Sequence, residues 1–87
     1  MTRERILVVE DESDLREVLS YNLTREGFKV SSAGDGGEGV RTALAEKPDL
    51  ILLDLMLPDV DGLEVCRRVR QDPNIGATPI IMVTEKD

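Results

Sequence analysis

Polar side chains that could carry out chemistry directly follow three short, strongly apolar runs of this 87-residue chain. They are Glu10, Asp11, Asp54 and Thr84. If the runs that end in carboxylates are neighbouring strands, the carboxylates converge and repel each other unless a cation lies between them. Magnesium (Mg2+) is a hard cation that prefers such oxygen ligands. The pattern therefore predicts a magnesium site with a hydroxyl group close by.

Each of these residues, taken alone, has a simpler interpretation. The pair Glu10 and Asp11 is also typical of a solvated turn that favours the start of the following helix. Asp54 could be a polar strand end, and Thr84 could be a β-branched strand residue with a spare hydroxyl. The functional interpretation gains weight because all four residues lie at predicted carboxyl ends of strands, on one edge of the predicted sheet.

The elements that must position these residues alternate between apolar runs and helical patterns. Strands are predicted at residues 6–9, 28–31, 50–53 and 80–83, and helices at 14–26, at 35–47 and after Asp61. Strands that alternate with helices predict right-handed crossovers and an open α/β fold, with a doubly wound parallel sheet covered on both faces.

The third predicted helix has an apolar face. It is expected to consist of Leu63, Val65, Cys66 and Val69. Cys66 is the only cysteine of the chain, so an internal disulfide is impossible. Its place on this face predicts a small core residue rather than a redox switch.

Composition excludes several classes of function. Eleven basic and eighteen acidic side chains give a net charge of −7, and a polyanion repels phosphate backbones, so direct nucleic-acid binding is not expected. The chain has no histidine, which removes the usual ligand of zinc sites and the usual acid–base catalyst. The apolar run near the start is too short for a signal peptide or a membrane span, so we expect a soluble, cytoplasmic protein.

Three segments together resemble the bacterial response-regulator receiver family. They are residues 5–12, residues 49–58 with Asp61 and Gly62, and residues 78–84. The resemblance implies a flavodoxin-like sheet with strand order 2-1-3-4-5. On this interpretation residues 1–87 are one receiver domain that forms strands 2-1-3-4 and lacks the family's fourth helix, fifth strand and fifth helix.

The resemblance also implies a role for each candidate residue. Asp54 matches the phosphoacceptor. Glu10 and Asp11 match the acidic pair that holds magnesium, and Met56 matches the position whose backbone carbonyl also binds the metal. Thr84 matches the hydroxyl that turns toward the phosphoryl group. The implied function is phosphorylation of Asp54 by a sensor histidine kinase in two-component signalling, which is not a classical enzyme activity.

Two features depart from the family pattern. Glu85 follows Thr84 at a position that is usually small, and a carboxylate there should repel an incoming phosphoryl group if it points inward. The essential lysine of the fifth strand has no counterpart, and Lys86 does not align with it.

The segment from Met56 to Pro58 is similar to receivers attached to winged-helix DNA-binding domains, which suggests an output of that kind.

Two other classes of function remain open. A dehalogenase-type phosphatase also has a nucleophilic aspartate after a buried strand, but it needs a second aspartate where this chain has Met56. A signalling-incompetent fragment would act only through protein–protein association. In that case the edge of the fourth strand, where Ile80 and Met82 face one side of the sheet and Ile81 and Val83 face the other, is the expected surface for self-association.

Overall fold

The computed structural model describes residues 3–83. They form a four-stranded parallel sheet with three helices. The strands are β1 (Arg5–Val9), β2 (Lys29–Ala33), β3 (Leu50–Asp54) and β4 (Ile80–Val83), and the helices are α1 (Ser13–Arg25), α2 (Gly36–Glu46) and α3 (Gly62–Gln71). The strand order is β2-β1-β3-β4, with every pair parallel. The predicted flavodoxin-like arrangement is therefore confirmed.

The helices are divided between the two faces of the sheet by the direction of their crossovers. The connection through α1 moves from β1 outward to β2, whereas the connections through α2 and α3 move in the opposite direction across the sheet. Because parallel crossovers are right-handed, α1 lies on one face and α2 and α3 lie together on the other.

The α2–α3 face contains the densest core of the described residues. Strand side chains from β1, β2 and β3 pack there against α2, α3 and the loop that precedes β4. The buried cluster consists of Leu7, Val9, Ala33, Ala43, Ile51, Leu53, Val65, Val69 and Ile75. Complete burial of a valine or leucine contributes about 1.5–3 kcal/mol to folding, so this cluster is the main apolar contribution to stability.

The α1 face is covered less completely. Ile6 and Val8 of β1 are buried, but no residue of α1 is buried itself. On β4 of the same face, Ile81 keeps 51% of its surface exposed. The apolar cover over this face therefore thins from β1 toward β4.

Helix ends follow local backbone rules. Gly27, just past the end of α1, has a φ of 99°, which a residue with a side chain adopts only at a cost. Lys47, the residue that follows α2, adopts a left-handed conformation with a φ of 51°. No helix within residues 3–83 is long and apolar enough to cross a membrane.

The prediction of the apolar face of α3 is partly wrong. Val65 and Val69 are buried, and Cys66 packs half-buried against the core, as expected. Leu63, however, is 64% exposed. The reason is angular: at about 100° per residue, Leu63 lies about 160° around the helix from Val65 and about 120° from Val69, so it faces away from the sheet.

Candidate metal site at the carboxyl edge of the sheet

Three carboxylates meet where β1 and β3 end. The two strands are adjacent and in register, with Val9 opposite Leu53, so Glu10 and Asp54 leave the sheet side by side. One oxygen from each of Glu10, Asp11 and Asp54 lies within 4.8 Å of the other two. Glu10 and Asp54 are only 2% and 4% exposed, whereas Asp11 is exposed to solvent.

The loop between β1 and α1 is held in place by hydrogen bonds around Glu10. The Glu10 amide donates to the carbonyl of Ala33 at 3.0 Å, and the Glu12 amide donates to Glu10 Oε2 at 3.1 Å. The guanidinium of Arg16 donates through Nη1 to the carbonyl of Glu10 at 2.7 Å and to that of Asp11 at 3.4 Å. Arg16 thus fixes the backbone that presents the acidic pair and brings a positive charge close to it.

Asp54 is oriented by the backbone that follows it. The Met56 amide donates to Asp54 Oδ1 at 3.0 Å, while the Met56 side chain is 73% exposed. The Gly62 amide donates to the carbonyl of Leu55 at 2.9 Å and so closes the loop. A Cβ on Gly62 would lie 2.7 Å from the Asp54 carbonyl oxygen, so only glycine permits this close approach of α3 to β3.

The middle of the same loop is attached to α2. Asp59 accepts hydrogen bonds from the amides of Gly36 and Gly37, each at 2.8 Å. Those bonds, first that from Gly37 and then that from Gly36, lower the pKa of the Asp59 carboxyl from 3.8 to about 2. Asp61 begins α3 and accepts from the amide of Glu64 at 3.0 Å.

The chemistry of the three carboxylates fits a hard divalent cation. At an effective dielectric constant of about 20, each pair of such charges at this spacing repels by about 3.5 kcal/mol. Two of the three are almost completely buried, so water cannot offset that repulsion fully. All three offer oxygen ligands, the type that Mg2+ and Ca2+ prefer, and the cluster can therefore hold such an ion.

The structure brings together only part of the predicted set. Glu10, Asp11 and Asp54 converge as expected, and Met56 lies two residues beyond Asp54 in the adjoining loop. Thr84, predicted as the switch hydroxyl, lies outside the described residues, as do Glu85 and Lys86.

Sequence reasoning missed two residues that shape the site. Arg16 is six residues beyond Glu10, and its position in the first turns of α1 was the only available signal. Asp59 accepts hydrogen bonds from backbone amides more than twenty residues away in the sequence, and no local sequence pattern predicts such contacts.

Comparison with known proteins gives one consistent result. The family model described as "Response regulator receiver domain" matches residues 6–87. The chain is 50% identical over 84 residues to the alkaline phosphatase synthesis transcriptional regulatory protein PhoP of Bacillus subtilis, and the match covers 97% of this chain. It covers 34% of PhoP, so this chain spans about a third of that curated relative.

Solved structures agree with this family match. The N-terminal domain of a response regulator receiver protein from Methanoculleus marisnigri superposes with a TM-score of 0.91 at 35% identity, over 98% of this chain and 69% of that one. The chemotaxis response regulator CheY4 of Vibrio cholerae superposes with a TM-score of 0.93 at 32% identity, over 98% of this chain and 71% of that one.

Proposed function

This chain belongs to the response regulator receiver domain family, and from that premise we propose that it accepts a phosphoryl group on Asp54 in two-component signal transduction. One observation carries the proposal. Asp54 is a 96% buried carboxylate at the carboxyl end of a central strand, with two further carboxylates within 4.8 Å. Such an arrangement is costly unless it serves a charged ligand.

The proposed donor is a phosphohistidine of a sensor histidine kinase. A carboxylate oxygen of Asp54 attacks phosphorus, the new P–O bond forms as the P–N bond breaks, and the departing imidazole takes up a proton. Because Oδ1 accepts the hydrogen bond from the Met56 amide, Oδ2 is the attacking oxygen in this proposal. The product is an acyl phosphate on Asp54.

Glu10, Asp11, Asp54 and the backbone carbonyl of Met56 would hold Mg2+ at this site. When bound, the ion supplies positive charge that neutralises the phosphoryl oxygens and favours their alignment with the nucleophile. Arg16 keeps the acidic pair in position through its two backbone hydrogen bonds. Thr84 is proposed as the hydroxyl that senses the phosphoryl group.

The wider role follows from the family. A receiver domain is a signalling domain, and we propose that this chain assists its own phosphorylation and dephosphorylation without being a classical enzyme. PhoP is named a transcriptional regulatory protein, and a role in transcription regulation in the cytoplasm is proposed here by analogy. The net charge of −7 argues that this segment does not contact nucleic acid itself.

A second candidate function is association through β4. Within the described sheet β4 pairs with β3 on one side, and Ile81 on its surface is 51% exposed. An exposed strand edge with apolar side chains is a template for pairing with another chain. In this alternative the protein acts only through such association and does not signal by phosphorylation.

Acetyl phosphate tests the proposed function directly. Incubation with Mg2+ should add one phosphoryl group to the wild-type chain, read by intact mass, and none to Asp54→Asn. Asp14→Asn is the matched control, because Asp14 is an exposed carboxylate in the first turn of α1. Equal labelling of wild type and Asp54→Asn would overturn the assignment of Asp54, and no labelling of either would favour the association alternative.

A further inference from the structure

The N-terminus of α2 is completed by a residue from a different part of the chain. Asp35 begins this helix and accepts from the amide of Glu38 at 2.8 Å, and its carbonyl accepts from Gly39 at 2.9 Å. Those bonds leave the amides of Gly36 and Gly37, and both donate to Asp59. Three amides at this helix start, those of Gly36, Gly37 and Glu38, are thus paired with side chains, two of them only through Asp59.

Asp59 lies in the middle of the loop that joins β3 to α3. The loop's ends are fixed by the Met56 amide on Asp54 Oδ1 and by the Gly62 amide on the Leu55 carbonyl. Between these ends, the bonds from Asp59 fasten the loop to the neighbouring helix. Asp59 is three residues from Met56, whose carbonyl is a proposed metal ligand.

Glycine at the start of α2 lets the loop pack closely beside these bonds. A Cβ on Gly36 would lie 2.3 Å from Cγ2 of Val60 and 2.9 Å from Cγ2 of Val65. Gly36 is buried, and Val60 is half-buried against the core. The loop and the helix therefore meet in an apolar contact next to the hydrogen bonds, which fixes their separation as well as their direction.

The same helix is braced against the strand that carries the acidic pair. A Cβ on Gly39 would lie 3.0 Å from both methyl groups of Val9, so α2 packs directly on β1 at this point. Val9 immediately precedes Glu10. A continuous path of contacts thus runs from the loop with Met56, through Asp59 and α2, to the end of β1.

We propose that Asp59 is a positioning residue for the phosphoacceptor site: its carboxylate anchors the β3–α3 loop to α2 and thereby sets the distance between the Met56 carbonyl and the Glu10–Asp11 pair. This inference rests on the proposed function of the Asp54 site. It assigns no contact with metal or phosphoryl group to Asp59 itself. Groups that orient metal ligands in this way typically change metal affinity by about 10- to 100-fold when they are lost.

The test compares two helix caps of α2 that differ in one respect. Asp59→Ala removes the two hydrogen bonds that join the loop to the helix, whereas Asp35→Ala removes a cap of the same helix without touching the loop. Mg2+ affinity is measured by titrating backbone amide resonances of the full chain, with the Met56 amide as the local reporter. Thermal unfolding of each variant, without metal, records the loss of stability.

Asp59→Ala should weaken Mg2+ binding about 10-fold relative to Asp35→Ala and shift the Met56 amide resonance before metal is added. Asp59→Asn keeps an acceptor oxygen and the shape of the side chain, so it should be intermediate and should fold even if the alanine variant does not. Equal Mg2+ affinity in Asp59→Asn, Asp35→Ala and wild type would overturn the positioning role. If the wild-type chain itself binds no Mg2+ and takes up no phosphoryl group, the proposed function fails instead.

Discussion

The two faces of the sheet differ in how completely they are covered. On the α2–α3 face, Leu53 and Val69 are fully buried, and helix, strand and loop residues form one contiguous cluster. On the α1 face, β1 is buried, but α1 contributes no buried residue and Ile81 of β4 is half exposed. The α2–α3 face is therefore a closely packed core, whereas part of the α1 face is exposed to solvent.

This difference separates the tasks of the molecule. The contacts that anchor the middle of the β3–α3 loop, between Asp59 and the start of α2, come from the α2–α3 side. The exposed Ile81 of β4 lies on the other side. Stability and site geometry are thus expected to depend on the first face, and association on the second.

The largest predicted difference between the faces is in stability. Leu53→Ala should lower the free energy of unfolding by about 2–5 kcal/mol, because it removes a fully buried side chain from a packed cluster. Ile81→Ala should cost roughly 1 kcal/mol or less, since half of that side chain is exposed already. Chemical denaturation of both variants measures the two values. Similar losses would show that the α1 face is packed as tightly as the other.

A second prediction concerns association. If the β4 edge pairs with another chain, Ile81→Lys should shift sedimentation toward the monomer, because a charge at an exposed strand edge opposes pairing. Val18→Lys is a matched control, since Val18 is also a half-exposed aliphatic residue, 54% exposed, but lies on α1. A wild-type chain that sediments as a compact monomer would contradict the expected self-association.

The smallest predicted effect is the response to acid, and it too belongs to one face. The pKa of Glu64 on α3 falls from 4.5 to about 2, mainly because Arg67 and then Arg68 donate hydrogen bonds to its carboxylate. The pKa of Asp59 falls from 3.8 to about 2. A lowered pKa in the folded state means that the unfolded chain takes up protons first, so stability is lost as the pH falls from about 4.5 toward 2.

Thermal unfolding between pH 4.5 and 2 tests this response. Asp59→Asn and Glu64→Gln should each flatten the dependence of the unfolding temperature on pH over this window. The effect should be modest for both groups, because they are exposed to solvent. A wild-type unfolding temperature that rises as the pH falls through this window would have the wrong sign.

The strands and the carboxylate cluster were largely predictable from the sequence. Continuous apolar runs are typical of strands buried on both faces, and β4 was located at Ile80–Val83 from such a run. Periodicity alone did not place β1 beside β3. That adjacency came from the resemblance to the receiver family, and the convergence of Glu10 with Asp54 depends on it.

What could not be predicted depends on contacts between distant segments. Leu63 was expected on the apolar face because its residue type is apolar, but the side of α3 that packs against the sheet is the one that carries Val65 and Val69. In the sequence, Gly36 only lowers the helix propensity of this segment. The structure shows that the lack of a side chain at Gly36 leaves the space in which Val60 packs. The hydrogen bonds that Asp59 accepts depend on the path of the β3–α3 loop, which the spacing of residues in the sequence does not specify.

The central claim is that nucleophile and metal ligands form one site, and the rate of phosphorylation by acetyl phosphate against Mg2+ concentration tests it most directly. Asp11→Asn is the informative variant, because Asp11 is exposed and its replacement should leave the fold intact, and Asp14→Asn is its control. The wild-type chain and Asp14→Asn should be labelled on Asp54 only when Mg2+ is present, with Asp11→Asn at least about 10-fold slower. Labelling of the wild type at the same rate with and without Mg2+, unchanged in Asp11→Asn, would contradict the account.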